Sequence, residues 1–125
     1  MIDKVVDASA LAAVAFKEPK EEAAKARLHG HRLCAPFLLS YEMANVCSKK
    51  MARHPADRKA IFEQLIDSHN VSIELHDVDF IEVVELANRH NLTAYDASYL
   101  WLARRLGTEL VTLDERLGKA AATPP

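Results

Sequence analysis

The stretch that most constrains the fold lies between residues 4 and 11, where an apolar strand ends on an aspartate and a helix begins. Val5 and Val6 are β-branched and precede Asp7, and a helix-forming run over residues 10–16 follows Ser9. This order predicts a short buried strand with Asp7 at its carboxyl end and Ser9 as the cap of the following helix. Because ligands of open α/β sheets bind outside the carboxyl ends of the strands, Asp7 is placed for chemistry. An aspartate at this point can also serve only as a helix cap, and this stretch alone leaves both interpretations open.

Size and composition restrict the class of protein. A chain of 125 residues, 50% of them hydrophobic, predicts one domain over residues 1–125 with a single core. The net charge is −2, from 16 basic and 18 acidic residues, so a nucleic acid would have to be bound by a local basic patch. Cys34 and Cys47 lie in apolar surroundings without metal-ligand spacing, which predicts reduced, partly buried thiols.

The N-terminal region resembles a signal peptide only in its apolar residues. Asp3 and Asp7 interrupt the charge pattern that a signal peptide requires, and no apolar run approaches membrane-spanning length. We therefore expect a complete cytoplasmic protein that has no membrane partner.

Short strands alternate with helices along the whole chain. Strands are predicted at residues 4–6, 31–36, 71–75 and 109–112. Helices are predicted at residues 10–16, 21–29, 57–69 and 95–106, from 37 or 39 to 53, and from 114 onward. A further helix is predicted to begin at a cap, Asp77, and to place Phe80, Val83, Val84 and Ala87 on one apolar face. Strands separated by helices indicate an α/β fold, with a mostly parallel sheet covered by helices on both faces.

Four carboxylates stand where these elements begin or end. Asp7 ends the first strand and Asp114 follows the last one, whereas Asp96 and Glu42 lie in the first turns of two helices, on faces shared with apolar residues. Acidic residues are common at helix starts because they interact favourably with the helix dipole, which explains each of them separately. Together they are harder to explain, because two unit charges about 4 Å apart repel by roughly 4 kcal/mol at an effective dielectric constant of 20. A cluster of this kind requires raised pKa values or bound cations, and oxygen-only ligands select Mg²⁺ or Mn²⁺.

Four segments resemble the motifs of one family in order and spacing. They are Val-Val-Asp-Ala-Ser ending at Ser9, Tyr-Glu-Met-Ala-Asn-Val around Glu42, Thr-Ala-Tyr-Asp-Ala-Ser-Tyr around Asp96, and Val-Thr-Leu-Asp-Glu-Arg-Leu around Asp114. Each motif is weak alone, but the four in register resemble the PIN-domain ribonucleases, most closely the VapC-type toxins of toxin–antitoxin pairs. The resemblance implies a three-layer α/β/α sandwich with a short, mostly parallel central sheet. It also implies a divalent-metal site and cleavage of single-stranded RNA by metal-activated water.

The family's acidic positions map onto Asp7, Glu42, Asp96 and Asp114. Asp7 and Asp96 are the best candidates to hold the principal metal, and Glu42 and Asp114 would complete the site directly or through water. Three further residues are candidates to orient these ligands through hydrogen bonds: Ser9, Asn45 and Thr112. Ser9 as a helix cap and Thr112 as an ordinary strand residue remain open alternatives.

Basic residues after Glu42 are the candidates for contact with RNA. Lys49, Lys50 and Arg53 cluster toward the end of the helix that carries Glu42, and Lys49 shares its face. Cations at the end of a helix also complement its dipole, so a solvated face explains them equally well.

Other families and functions fit less well. A receiver domain needs an acidic pair at the first strand end, and a haloacid-dehalogenase-like phosphatase needs an aspartate where Ser9 stands. The alternative function is a catalytically silent PIN-fold module that binds RNA or protein, although such a module has no need of a repulsive acidic cluster. The resemblance further implies a cognate antitoxin and a homodimer. Many family members continue into another short strand, so the sheet is expected to lack one edge strand here.

Overall fold

The structure is a computed structural model that describes residues 3–125. Its four strands are β1 (Asp3–Val6), β2 (Arg32–Pro36), β3 (Ile73–His76) and β4 (Glu109–Val111). Its helices are α1 (Ala8–Ala15), α2 (Glu21–Leu28), α3 (Leu38–Arg53), α4 (Arg58–His69), α5 (Phe80–His90), α6 (Ala94–Leu106) and α7 (Glu115–Ala122), and a 3-10 turn (Pro55–Asp57) precedes α4. Among the described residues, no helix has the length and apolar character needed to cross a membrane.

The strands form one parallel sheet in the order β3-β2-β1-β4. In the register, Val5 of the central strand β1 aligns with Cys34 of β2 on one side and with Leu110 of β4 on the other. The chain reaches each neighbouring strand through helices, as parallel pairing requires. The expected α/β/α sandwich with a parallel sheet is therefore confirmed.

The core consists of the apolar strand residues and the helix faces that cover them. Val5, Val6 and Val111 are fully buried in the sheet, and the helices contribute the buried side chains of Met43, Leu100 and others. Strand residues that are buried on both faces are apolar, which is why Val5, Val6, Leu110 and Val111 were recognisable in the sequence. The four-stranded sheet is small, and β3 and β4 are its edges.

The entry into α5 differs from the sequence prediction. Asp79, rather than Asp77, caps the helix, and its carboxylate accepts hydrogen bonds from the backbone N–H groups of Ile81 and Glu82. The buried face is formed by Val83, Leu86 and Ala87, whereas Phe80 is 77% exposed. The apolar periodicity predicted the helix correctly but assigned Phe80 and Val84, which is 60% exposed, to the wrong face.

Candidate active site

Asp7 is the most buried carboxylate of the predicted site, with only 3% of its surface exposed. It follows β1 directly and is itself the N-cap of α1, because its Oδ1 accepts a hydrogen bond from the N–H of Ala10 at 3.0 Å. The Ser9 hydroxyl donates to the same oxygen at 2.7 Å, and the Thr112 hydroxyl donates to Oδ2. Ser9 therefore supports the cap instead of forming it, which corrects the sequence prediction, and Asp7 is the cap of α1.

Ser9 and Thr112 also tie the ends of β1 and β4 together. The Thr112 Oγ1 accepts a hydrogen bond from the N–H of Asp114 at 3.0 Å, and the Ser9 Oγ accepts one from the N–H of Leu113 at 2.9 Å. The backbone N–H of Asp7 donates to the carbonyl of Val111 at 3.2 Å. Both hydroxyls are thus donors to Asp7 and acceptors for the segment that leads to Asp114.

Asp114 is placed by the start of α7. Its Oδ1 accepts a hydrogen bond from the N–H of Leu117 at 2.8 Å, so Asp114 is the N-cap of that helix. The residue is exposed to solvent, in contrast to Asp7. Two strand ends therefore each present a carboxylate that also begins a helix.

Glu42 and Asp96 project from helices on the other side of the site. The buried Tyr99 hydroxyl donates to Glu42 Oε1 at 2.6 Å. Asp96 lies in the first turn of α6, where its N–H donates to the Thr93 hydroxyl at 3.0 Å. Both carboxylates are half-buried, and each has fewer protein donors than Asp7.

The four carboxylates act on one another electrostatically. Burial raises the pKa of Asp7, of Glu42 and of Asp96 above the ordinary values. After burial, the charges of Asp114 and Asp7 raise the pKa of Asp96, and the charges of Asp96 and Asp7 raise the pKa of Glu42. Hydrogen bonds from Thr112, Ala10 and Ser9 act against burial and lower the pKa of Asp7, which shows that these donors stabilise its ionised form. The predicted set is therefore brought together in one crevice.

The donor set suits a hard divalent cation. Carboxylate oxygens are the ligands that Mg²⁺ and Mn²⁺ prefer, and a cation would relieve the mutual repulsion that raises the three pKa values. Within residues 3–125, no three of these carboxylates bring oxygens within 4.8 Å of one another. The carboxylate oxygens are thus spread more widely than in a compact ligand cluster, and Mg²⁺ commonly retains several waters in sites of this kind.

The other predicted residues lie farther from the crevice, along α3. Asn45, Lys49 and Arg53 are exposed on this helix. At a rise of about 1.5 Å per residue, Lys49 lies about 10 Å from Glu42 along the axis and Arg53 about 16 Å from it. The Lys50 ammonium already has partners within the fold. Its nitrogen lies 2.8 Å from a carboxylate oxygen of Glu18 and 5.5 Å from the centre of the Phe16 ring.

Two residues of the site were missed by sequence reasoning. Tyr99 lies within the quoted motif, three residues after Asp96, a spacing that places both on neighbouring positions of one helix. Its pKa is raised far above the ordinary value by burial and by the Glu42 carboxylate, so the hydroxyl stays protonated and remains a donor. Arg27 of α2 donates to the carbonyls of Thr112 at 3.2 Å and Leu110 at 3.4 Å, a contact between distant segments that no local pattern signals.

Comparison with known proteins gives consistent matches over most of the chain. A family model described as the PIN domain matches residues 4–122. Ribonuclease VapC3 of Pyrobaculum aerophilum is 34% identical over 131 residues, covering 96% of this chain and 98% of that protein. Exonuclease VapC9 of the same organism is 33% identical over 116 residues, covering 93% of this chain and 84% of that protein. The crystal structure of PAE2754 from Pyrobaculum aerophilum is 31% identical and has a TM-score of 0.78, with 97% of this chain and 86% of that chain covered.

Proposed function

The chain belongs to the PIN-domain family, as its four motifs predicted, and we propose that it is a divalent-metal-dependent endoribonuclease acting on single-stranded RNA. The observation that carries the proposal is the acidic crevice, in which burial and the charges of neighbouring carboxylates raise the pKa values of Asp7, Glu42 and Asp96. The charge of Asp114 contributes to the effect on Asp7 and Asp96. A protein that only binds RNA gains nothing from four carboxylates facing a polyanion. A nuclease needs them to hold cations.

Asp7 and Asp96 would hold the cation, Mg²⁺ or Mn²⁺, and Glu42 and Asp114 would bind it directly or through water. Such an ion supplies activation of water and neutralisation of charge on the phosphate. The protein's own contribution is to hold these carboxylates ionised and oriented. Ser9 and Thr112 do so for Asp7, and Tyr99 does so for Glu42. Asn45 is proposed as a further orienting residue one turn after Glu42.

RNA would be held by the basic residues on α3. Lys49 and Arg53 are exposed and free of the ion pair that occupies Lys50, so they should contribute more to binding than Lys50 does. Each lost phosphate contact should reduce the slope of log affinity against log salt by about 0.7 for a single strand. Binding measured at several salt concentrations for Lys49→Ala, Arg53→Ala and Lys50→Ala tests this ranking.

The relatives named VapC also support a biological setting. We propose that the protein is the cytoplasmic toxin of a toxin–antitoxin pair, that a small antitoxin protein covers the acidic crevice, and that the enzyme is a homodimer. Co-expression with the product of a neighbouring short gene should yield a stable complex in which RNA cleavage is suppressed. Light scattering of the isolated protein gives the oligomeric state directly.

The first experiment is cleavage of a circular single-stranded RNA by wild type and Asp96→Asn. Each protein is assayed with Mg²⁺, with Mn²⁺ and with a chelator. Cleavage of the circle by wild type alone, and only with metal, would support the proposal. Because one relative is named an exonuclease, the matched linear RNA is the comparison. If the linear RNA is degraded while the circular RNA stays intact, the protein is an exonuclease and not an endonuclease. If the protein binds RNA without metal and cleaves neither the circular nor the linear RNA, a silent binding module is favoured.

A further inference from the structure

A second group of ligating side chains lies on the sheet itself, at the edge formed by β2 and β3. In the parallel register, Cys34 is the direct partner of Glu74, and Pro36 is the partner of His76. Alternate residues of a strand share one face, so Cys34, Glu74 and His76 project from the same side of the sheet. Their ligand atoms, a thiol sulfur, a carboxylate oxygen and a ring nitrogen, all lie within 4.8 Å of one another.

The His76 ring supplies an independent observation. Its Nε2 atom is buried and makes no hydrogen bond within the described part of the chain. Glu74 Oε1 is 2.8 Å from that nitrogen, but the contact does not have the geometry of a hydrogen bond. The nitrogen therefore has the Glu74 carboxylate as an ion-pair partner when the ring is protonated, but it makes no hydrogen bond. A cation bound by the three ligand atoms would give this buried nitrogen a coordinate bond in place of the missing hydrogen bond.

We propose that Cys34, Glu74 and His76 form a second cation site, separate from the acidic crevice and suited to Zn²⁺. A thiolate and an imidazole select a borderline ion such as Zn²⁺, whereas Mg²⁺ and Mn²⁺ prefer oxygen ligands alone. Three protein ligands leave one position for water. The carboxylate of Asp3, whose charge also acts on the Cys34 thiol, is held by two hydrogen bonds from the guanidinium of Arg32.

Loading the site requires the thiol to lose its proton. Burial, together with the charges of Asp3 and Glu74, raises the pKa of the Cys34 thiol, so it is protonated when no cation is bound. The cation takes the sulfur lone pair as the S–H bond breaks, and the proton leaves to water. Glu74 is exposed and His76 is partly exposed, so an ion can reach the buried sulfur from their side.

The expected consequence is structural. β3 is an edge strand that pairs only with β2. A cation bound to Cys34 on one strand and to Glu74 and His76 on the other would join the two strands through their side chains in addition to the backbone ladder. Binding to the folded chain alone would therefore raise the thermal midpoint in proportion to the logarithm of the free Zn²⁺ concentration.

Cobalt(II) titration of the reduced, metal-free full-length protein tests the proposal, because a thiolate ligand gives Co²⁺ an intense charge-transfer absorption that carboxylate ligands do not give. We expect this band in wild type at one equivalent of Co²⁺, and its loss on addition of Zn²⁺, which binds such sites more tightly. Cys34→Ser should lose the band. Cys47→Ser is the matched control, since Cys47 is equally buried but its thiol bonds to the Met51 sulfur and the carbonyl of Ile61 instead of facing other ligating groups.

Two further variants separate this site from the acidic crevice and from a folding defect. Asp96→Asn should retain the band in full. His76→Gln alters a partly exposed residue and should fold normally, as judged by circular dichroism, while weakening Zn²⁺ binding at least about tenfold. A wild-type protein without the band, a band that persists in Cys34→Ser, or His76→Gln with unchanged Zn²⁺ affinity would each overturn the proposal.

Discussion

The two sides of the acidic crevice are built differently. On the strand side, Asp7 and Asp114 follow β1 and β4 and each caps a helix. On the helix side, Glu42 and Asp96 project from α3 and α6, and Tyr99 supplies a single hydrogen bond to Glu42. Three donors bind the Asp7 carboxylate: Ser9, Ala10 and Thr112.

This difference separates folding from chemistry within one site. The strand-side carboxylates are part of the secondary structure, so their positions are fixed by the same hydrogen bonds that begin α1 and α7. The helix-side carboxylates contribute little to the fold and have room to adjust when a cation or phosphate arrives. We therefore expect substitutions on the strand side to affect stability and activity together, and substitutions on the helix side to affect activity alone.

The largest expected effects are losses of RNA cleavage, and they test the difference between the strand side and the helix side most directly. Asp7→Ala and Asp96→Asn should each reduce RNA cleavage at least about 10³-fold, equivalent to roughly 4 kcal/mol of lost transition-state stabilisation. Asp7→Ala should also lower the free energy of unfolding by about 2 kcal/mol, because it removes a helix cap and leaves buried donors unpaired. Asp96→Asn should leave that free energy unchanged or raise it, because a repulsive charge is removed.

Urea unfolding and single-turnover cleavage measure both quantities on the same samples. Glu85→Gln, which changes an exposed acid on α5, is the control and should alter neither. Equal destabilisation by Asp7→Ala and Asp96→Asn would contradict the division between the two sides.

Removing the Tyr99 hydroxyl tests whether the helix side affects metal binding more than stability. Tyr99→Phe keeps the buried ring but deprives Glu42 of its donor, so we expect Mg²⁺ affinity to fall about 10- to 100-fold, as for other groups that orient metal ligands. Stability should change far less than affinity, because Glu42 is only half-buried and can be hydrated. Isothermal titration with Mg²⁺, paired with thermal unfolding, separates the two effects. A loss of stability without a loss of affinity would make Tyr99 a purely structural residue.

The corresponding change on the strand side is Thr112→Val. The valine has a similar shape but neither donates to Asp7 nor accepts from the N–H of Asp114, so the free energy of unfolding should fall by about 1–2 kcal/mol. Thr123→Val at the end of α7 is the control, since the Thr123 hydroxyl bonds only to the carbonyl of Lys119 at an exposed position. Chemical denaturation gives the free energy of unfolding of both variants. Equal decreases for Thr112→Val and Thr123→Val would contradict the special role of Thr112.

The smallest effect is a dependence of stability on pH in the metal-free protein. The pKa values of Asp7, Glu42 and Asp96 are raised on folding, so the folded state holds more protons than the unfolded state above the ordinary values of 3.8 and 4.5. The free energy of unfolding should therefore decrease as pH rises from those values through the raised pKa values. The pKa values of Asp3 and Glu109 are lowered by Arg32 and Arg27, and these two residues lose their stabilising contribution as pH falls below the ordinary values.

Urea midpoints measured across the acidic range, with and without Mg²⁺, check this sign. Asp96→Asn should make the decrease of the free energy of unfolding with rising pH less steep above the ordinary carboxyl pKa. Bound Mg²⁺ should suppress that decrease. A midpoint that rises with pH through this window in the metal-free protein would show that the site carboxylates are not held against one another.

The same division decides what the sequence alone could predict. Asp7 and Asp114 follow short apolar segments that predict strands, and the carboxyl ends of parallel strands meet at one edge of a sheet. Asp96 and Glu42 could be added because they share helix faces with apolar residues. The family motifs then joined the four, since an acid in a first helical turn is common without function. The contacts of Tyr99, Arg27 and Lys50 join segments distant in the chain, and they depend on packing that no local pattern encodes.

The edge position of β4 gives Arg27 a significance beyond its contacts. Within residues 3–125, β4 pairs with β1 alone, so the carbonyls of Leu110 and Thr112, which alternate with the inward-facing carbonyl of Val111, point away from the sheet. Arg27 donates to both of these carbonyls, and its side chain is held by Glu109 at 2.9 Å. A guanidinium thus satisfies the two acceptors that the amide groups of a fifth strand would otherwise bind. One side chain thus covers the edge of β4 that would otherwise be open to pairing with another strand, next to the residues that hold Asp7 in place.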